Sequence, residues 1–184
     1  MINQSKEELR KQISEKRKTL SDEFIAINSK EIARKLFSMD EYKDAETIYI
    51  YMDFKSEVST KEIIEDALLK GKRVAIPKVV NDEIEFYYIN SINDVSIGNF
   101  GIREPISSNL AQNELPLIII PGVAFDKNRH RIGYGRGFYD KYLAKNKVVA
   151  KIALAFEFQL MEEIPFDDYD EILDIIITEK SIVQ

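Results

Sequence analysis

The sequence predicts an α/β fold: one domain, 1–184, formed by an open, mostly parallel sheet sandwiched between helices, with a hairpin-like insertion. Three observations carry this expectation. Residues 47–76 read as strand, helix, strand, the βαβ succession that implies parallel neighbours. The run Leu117-Ile118-Ile119-Ile120 is continuously apolar and halted by Pro121-Gly122, as in a strand buried on both faces. Two further apolar strands, near 148–156 and 174–178, follow a helical stretch.

Taken in order, Ser5 with Glu8 forms a capping box, and Leu9, Ile13 and Leu20 give a sparse apolar stripe on a very basic helix. A second helix starts after Ser21, with Ile25, Ile32, Ala33, Leu36 and Phe37 on one face. Residues 47–51 read as a strand, Ser59 with Glu62 caps a third helix, and Gly71 ends it. A strand resumes at 73–76 and is stopped by Pro77. Residues 83–89 suit a more exposed edge strand, and 90–116 are polar, punctuated by Gly98, Gly101, Pro105 and Pro116. After the 117–120 strand come a long loop and a helix through Tyr142 and Leu143. In such a sheet the ligand site lies beyond the carboxyl ends of the strands.

Composition narrows the chemistry. Hydrophobic residues make up 45% and charged residues 32%, a balance that supports a full core. With no cysteine, disulfides, thiolate metal sites and cysteine nucleophiles are excluded, so any metal rests on oxygen ligands or on His130. The first residues lack a basic-then-apolar layout and the most apolar run is broken by prolines, so neither a signal peptide nor a membrane span is expected. A formal charge of −6 argues against sequence-independent nucleic-acid binding.

The chain has seven glycines, and three of them, Gly133, Gly135 and Gly137, fall within five residues of the stretch RIGYGRGFYD. Alternating glycines permit positive φ and can turn successive N–H groups inward as an anion-binding nest, followed here by a helix N-terminus. Arg131 and Arg136 flank it with planar charged forks. The stretch matches neither the Walker nor the dinucleotide fingerprint. Two readings stay open on pattern alone, a phosphate or carboxylate site and a flexible loop with solvated charges. Asp140 suits either magnesium carried by bound phosphates or a dipole-stabilising acid. Asp174 opens the last apolar strand, where its carboxylate either faces the ligand edge or is solvated. His130, among basic neighbours, reads as exposed. Phe86, Tyr87 and Tyr88 read as packing aromatics before a stacking platform. Lys6, Arg10, Lys11, Lys16, Arg17 and Lys18 read first as a solvated helix face.

PGVAFD at 121–126 with the 131–140 stretch resembles the 5-formyltetrahydrofolate cyclo-ligase family, and GIREP at 101–105 and Asp174 are landmarks in matching order. The resemblance spans nearly the whole chain. It implies a cytoplasmic enzyme that uses ATP and Mg2+ to close 5-formyltetrahydrofolate to 5,10-methenyltetrahydrofolate, with no nucleic-acid or membrane partner. It further implies that Lys6 and Arg10 contact the nucleotide together with Arg131 and Gly133, Tyr134, Gly135, Arg136, Gly137, Phe138 and Tyr139. Met52 and Glu57 would contact the folate, Tyr134 through Phe138 would lie between the two substrates, and Arg131 and Arg136 would act on the transferred phosphoryl. Asp140 and Asp174 would bind magnesium. Phe138 stands where tyrosine is more usual and keeps the aromatic face without the phenol; Tyr134 stands where some members have arginine. The competing expectation is a non-catalytic α/β sensor of a phosphorylated metabolite.

Overall fold

Alternation along short parallel strands decides the layering. The computed structural model describes residues 4–98 and 101–184. Its elements run α1 (Lys6–Lys18), α2 (Asp22–Ser38), α3 (Asp40–Asp44), β1 (Thr47–Ile50), α4 (Lys61–Leu69), β2 (Arg73–Val80), β3 (Glu83–Ile89), β4 (Val95–Ile97), β5 (Arg103–Pro105), β6 (Leu117–Ile120), β7 (Ala124–Asp126), β8 (Arg131–Ile132), α5 (Phe138–Lys145), β9 (Ala150–Leu154), β10 (Leu160–Met161), β11 (Ile175–Ile177) and β12 (Ile182–Val183). The main sheet has the order β12-β11-β9-β6-β1-β2-β3. Its five inner strands are parallel, and β3 and β12 close the two edges antiparallel.

Successive side chains point to opposite faces, so Ile48, Ile50, Leu117, Ile119, Ile152 and Ile175 bury one face under α2, α3 and α4. Tyr49, Ile118, Ile120, Ala153 and Ile176 form the other, covered by α5 and by Phe125 of β7. Every residue of β6 is buried, as its unbroken apolar run predicts. Each such aliphatic side chain contributes about 1.5–3 kcal/mol by leaving water. Two helix starts and one stop follow the sequence: Ser5 and Glu8 exchange both capping-box hydrogen bonds, Ser21 caps α2, and Gly71 takes φ +73 after α4.

Three local expectations are corrected. β2 runs through Pro77 to Val80, because its pairing with β1 ends at Ala75 and Pro77 has a strand only on its β3 side, where it faces Phe86. The β2–β3 turn, Asn81-Asp82, has positive φ at both residues, the geometry a two-residue hairpin needs. At α4 the N-cap is Thr60 rather than Ser59, and the Thr60 hydroxyl bonds to Tyr51 O and Asp53 Oδ1 instead of the helix. The long loop after β6 contains strands. β7 and β8 form a hairpin that joins β10 in a small sheet, and α1 docks on it through Leu9 and Ile13 against Val123, Ala124 and Ile132.

That hairpin depends on one buried acid. Asp126 is fully buried and accepts hydrogen bonds from Asn128 N (3.0 Å), His130 N (2.9 Å) and Ile164 N (3.1 Å), with His130 Nδ1 at 2.9 Å. His130 is therefore buried, not exposed: Asp126 draws the ring inward, and Phe166 stacks on it with centroids 3.8 Å apart. Basic neighbours in sequence say nothing about a partner four residues earlier. Asp126→Ala is expected to destabilise the protein by about 3–5 kcal/mol, since it strands several buried N–H donors. Asp126→Asn, which keeps one acceptor oxygen, should lose less, and urea denaturation midpoints at constant m-value check both.

Candidate functional site

A cavity of about 480 Å3 opens at the carboxyl ends of β1, β2 and β6, the edge where an open α/β sheet places its ligands. Its floor is apolar, with Met52, Pro77, Val79, Ile84 and Phe138, and Phe54 and Ile102 close the side. Charge is confined to a few side chains, among them Arg17, Glu57, Arg103 and Arg136. A chain of net charge −6 thus gathers arginines around one hydrophobic pocket. A smaller cavity of about 210 Å3 lies between β3 and α5, and Phe138 borders both.

The turn after β1 is tied at several points. Tyr51 Oη donates to Val58 O (2.9 Å), and Asp53 Oδ1 accepts from Thr60 N (3.1 Å). Glu57 folds back on this turn, so that Oε2 accepts from Phe54 N at 2.8 Å while Oε1 accepts from the Tyr134 hydroxyl. Burial pushes the Glu57 carboxyl above the usual range, against the opposing pull of the Tyr134 hydrogen bond and the Arg17 charge. Tyr134 joins the turn to the glycine loop, its ring half exposed and its hydroxyl held between Glu57 and Arg17.

Beyond the loop the charges converge differently. Arg131 is buried. It donates to Pro121 O at the end of β6 (3.2 Å) and to Asp140 Oδ1 in the first turn of α5 (2.8 Å). Glu171 N also reaches Asp140 Oδ1, at 3.4 Å. Arg10 Nε donates to Gly133 O at 2.8 Å, and Lys6 is held by Asp167 and Asp170. Burial pulls the Lys6 ammonium down, but those two carboxylates outweigh it and keep it above the ordinary lysine value. Gly135 and Gly137 take φ +100 and +63, and a Cβ on Gly133 would meet Arg131 Nη1 at 2.8 Å. The loop therefore uses its glycines for backbone conformation at two positions and for close approach at the third.

The structure brings most of the expected residues to one loop and its surroundings. Met52, Glu57, Tyr134, Arg136, Phe138 and Tyr139 line the cavity; Lys6, Arg10, Arg131, Gly133, Gly135 and Asp140 lie outside its lining, with Arg10 bonded to Gly133 and Arg131 to Asp140. Arg131 and Arg136 separate, the first turned to Asp140 and the second to the cavity. Of the two readings open for Asp174, the structure shows the solvated strand-end residue. It precedes β11 at the amino end of a parallel strand, opposite the ligand edge, and its carboxylate accepts the Lys151 N–H at 2.7 Å. Phe86 is a packing residue, stacked on Tyr49 at 4.6 Å.

Sequence reasoning missed Arg17. Both it and Lys18 border the cavity, but Arg17 is 8% exposed whereas Lys18 beside it is exposed and paired with Glu15. The signal was present: Leu9, Ile13 and Arg17 are spaced by four, so Arg17 continues the buried stripe. Arg103, which lines the cavity and lies 3.5 Å from Asp53 Oδ1, carried only the signal of its place in GIREP.

Among the described residues no three His, Asp or Glu side chains form a metal cage. Magnesium does not require one, since one or two carboxylates with phosphate oxygens and water suffice. Asp140 fits that role by position, at the end of the glycine loop beside Arg131.

Residues 2–179 match the 5-formyltetrahydrofolate cyclo-ligase family. A 5-formyltetrahydrofolate cyclo-ligase of Mycoplasma pneumoniae is 32% identical, the match covering 95% of this chain and 99% of that protein. A probable 5-formyltetrahydrofolate cyclo-ligase of Schizosaccharomyces pombe is 30% identical over 90% of each. The solved 5,10-methenyltetrahydrofolate synthetase of Aquifex aeolicus superposes with a TM-score of 0.86 at 35% identity, covering 96% of this chain and 91% of that one.

The loop geometry predicts unequal tolerance of its glycines. Gly137→Ala should cost about 1–2 kcal/mol of folding stability, because an L-residue resists φ +63 even in open space. Gly133→Ala should cost more, about 3–5 kcal/mol, since its Cβ would meet Arg131 Nη1 and push a buried guanidinium off Pro121 O and Asp140. Denaturation curves of the two variants check the order.

Proposed function

This chain belongs to the 5-formyltetrahydrofolate cyclo-ligase family, a family of ligase enzymes, and we propose that it converts 5-formyltetrahydrofolate and ATP to 5,10-methenyltetrahydrofolate, ADP and phosphate. One observation carries the reading. A single glycine loop presents Tyr134, Arg136 and Phe138 to an apolar cavity, while Arg131, Gly133 and Asp140, outside that lining, pair with one another and with Arg10.

The chemistry needs such a partition. The formyl group on N5 is an amide, and its oxygen leaves poorly. In the proposed reaction that oxygen attacks the γ-phosphorus and ADP departs; N10 then attacks the activated carbon and loses its proton, and the C–O bond breaks to release phosphate. The residues act by alignment and charge neutralisation, with no covalent nucleophile. The folate lies in the cavity, with Met52 and Phe138 against its rings and Glu57 accepting from its N–H donors. Arg136 faces the phosphoryl being transferred. Arg131, the loop N–H groups, Lys6 and Arg10 neutralise the phosphates, and Lys6 exchanges Asp167 and Asp170 for them. Magnesium would add charge neutralisation at the phosphates, held by Asp140; Asp174 would join only by releasing the Lys151 N–H. Among the described residues no helix is long and apolar enough to cross a membrane, which suits the cytoplasmic setting we assign to the reaction.

Purified protein should form the methenyl chromophore only with ATP and Mg2+, releasing ADP and phosphate in equal amounts; tight ATP binding without turnover would instead identify a sensor. Lys6→Ala with Arg10→Ala should raise KM for ATP far more than KM for folate, because both groups lie outside the cavity lining. Arg131→Lys should lose about 1.5–3 kcal/mol of transition-state stabilisation in kcat/KM, as one ammonium cannot serve both Pro121 O and Asp140. Asp140→Asn should raise the Mg2+ concentration needed for half-maximal rate, and Asp174→Asn should raise it less.

A further inference from the structure

Arg17 has no place in the reaction as described, yet its setting is that of a site residue. It occupies the third position of the α1 stripe after Leu9 and Ile13 and is almost fully buried. An apolar side chain there would dock α1 without the cost of taking a guanidinium from water, and such replacements of buried ion pairs are often neutral or stabilising. All the partners that Arg17 has taken belong to the cavity. Nε donates to Ser56 O (3.1 Å), Nη1 donates to the Tyr134 hydroxyl (2.6 Å), and Nη2 stands 4.0 Å from Glu57 Oε1. One planar fork thus joins α1, the turn after β1 and the glycine loop.

We propose that Arg17 is a positioning residue for the folate end of the cavity: it supplies the countercharge for Glu57 and fixes the Tyr134 hydroxyl against it. The inference rests on the proposed substrate, since Glu57 is the acceptor it prepares. The Glu57 side chain is largely buried, and that burial chiefly, with the like charge of Asp53, resists its ionisation. Against them stand Arg17, the Tyr134 hydroxyl and the Phe54 N–H. Arg17 is the cation that lowers the Glu57 pKa from closest contact, while Lys55, Arg103 and Arg136 line the same cavity. Without Arg17 the carboxyl stays protonated to higher pH and presents a donor where the ligand needs an acceptor.

The sign follows directly. Glu57 titrates above the usual carboxylate range, so acceptor function is lost as pH falls through that raised value, and losing Arg17 moves the loss upward. The test uses Arg17→Met, which keeps a long stem without charge, and Arg17→Lys, which keeps charge without the fork. Glu57 is followed by carboxyl 13C NMR in ligand-free protein, its resonance assigned with Glu57→Gln. Arg17→Met should move its midpoint up by roughly one pH unit, a tenfold change in proton affinity. In turnover it should raise KM for folate about tenfold at neutral pH, leave KM for ATP within about twofold, and shift the acidic limb of kcat/KM upward. Arg17→Lys should titrate nearly as wild type yet raise folate KM several-fold, because one ammonium cannot hold Ser56, Tyr134 and Glu57 together. A Glu57 midpoint unmoved in folded Arg17→Met, or wild-type folate KM in Arg17→Lys, overturns the proposal. The NMR arm is read without substrate, so a wild type that titrates as described but fails to turn over this folate refutes the functional reading alone.

Discussion

The buried guanidinium of Arg131 links the parts of this molecule that a parallel sheet would otherwise leave separate. It bonds the carbonyl that ends the central strand β6 and the carboxylate that begins α5. A charge so enclosed is tolerated only when paired and hydrogen-bonded, so the ion pair constrains everything between its ends. The glycine loop is the chain that must span from Arg131 to Asp140, and its positive φ values and close backbone approach answer to that span. The β7–β8 hairpin that delivers Arg131 is in turn fixed by Asp126, and α1 docks on the same small sheet.

A consequence is that the loop has two chemically different sides. One borders an apolar cavity lined by Phe54, Tyr134, Phe138 and Tyr139 and by the carboxylates of Glu57 and Glu104, the side we assign to the folate. The other gathers cations that we assign to the phosphates: Lys6 paired with Asp167 and Asp170, Arg131 with Asp140, and Arg10 with Gly133 O. For the proposed reaction, holding both substrates at one loop would supply the alignment on which such transfers depend. The acidic partners also keep the cations from being left unpaired among partly buried surroundings.

Much of this was legible in the sequence, for identifiable reasons. Burial on both faces leaves a period-free apolar run, so β6 could be read from Leu117 to Ile120, and the capping chemistry of Ser5 and Ser21 fixed two helix starts. The cluster of three glycines between arginines marked the loop. What escaped reading depended on partners distant in sequence or on topology. Pro77 is harmless only because β1 ends before it. His130 is buried by an acid and an aromatic ring that composition does not reveal. Asp174 lies at the amino edge because β11 is parallel, which its own residues do not state. β7 and β8 are too short to show a period. Arg17 looked like one more charge in a basic run, and only its register with Leu9 and Ile13 set it apart.

The central claim is that the loop joins a folate formyl group to a phosphoryl donor, with the formyl oxygen as the atom exchanged. The most direct measurement starts from 5-formyltetrahydrofolate carrying 18O in the formyl oxygen and follows the label through a single turnover with ATP. The account predicts that the inorganic phosphate released carries the 18O. Unlabelled phosphate formed alongside the methenyl product would show that the oxygen leaves by another route, and would contradict it.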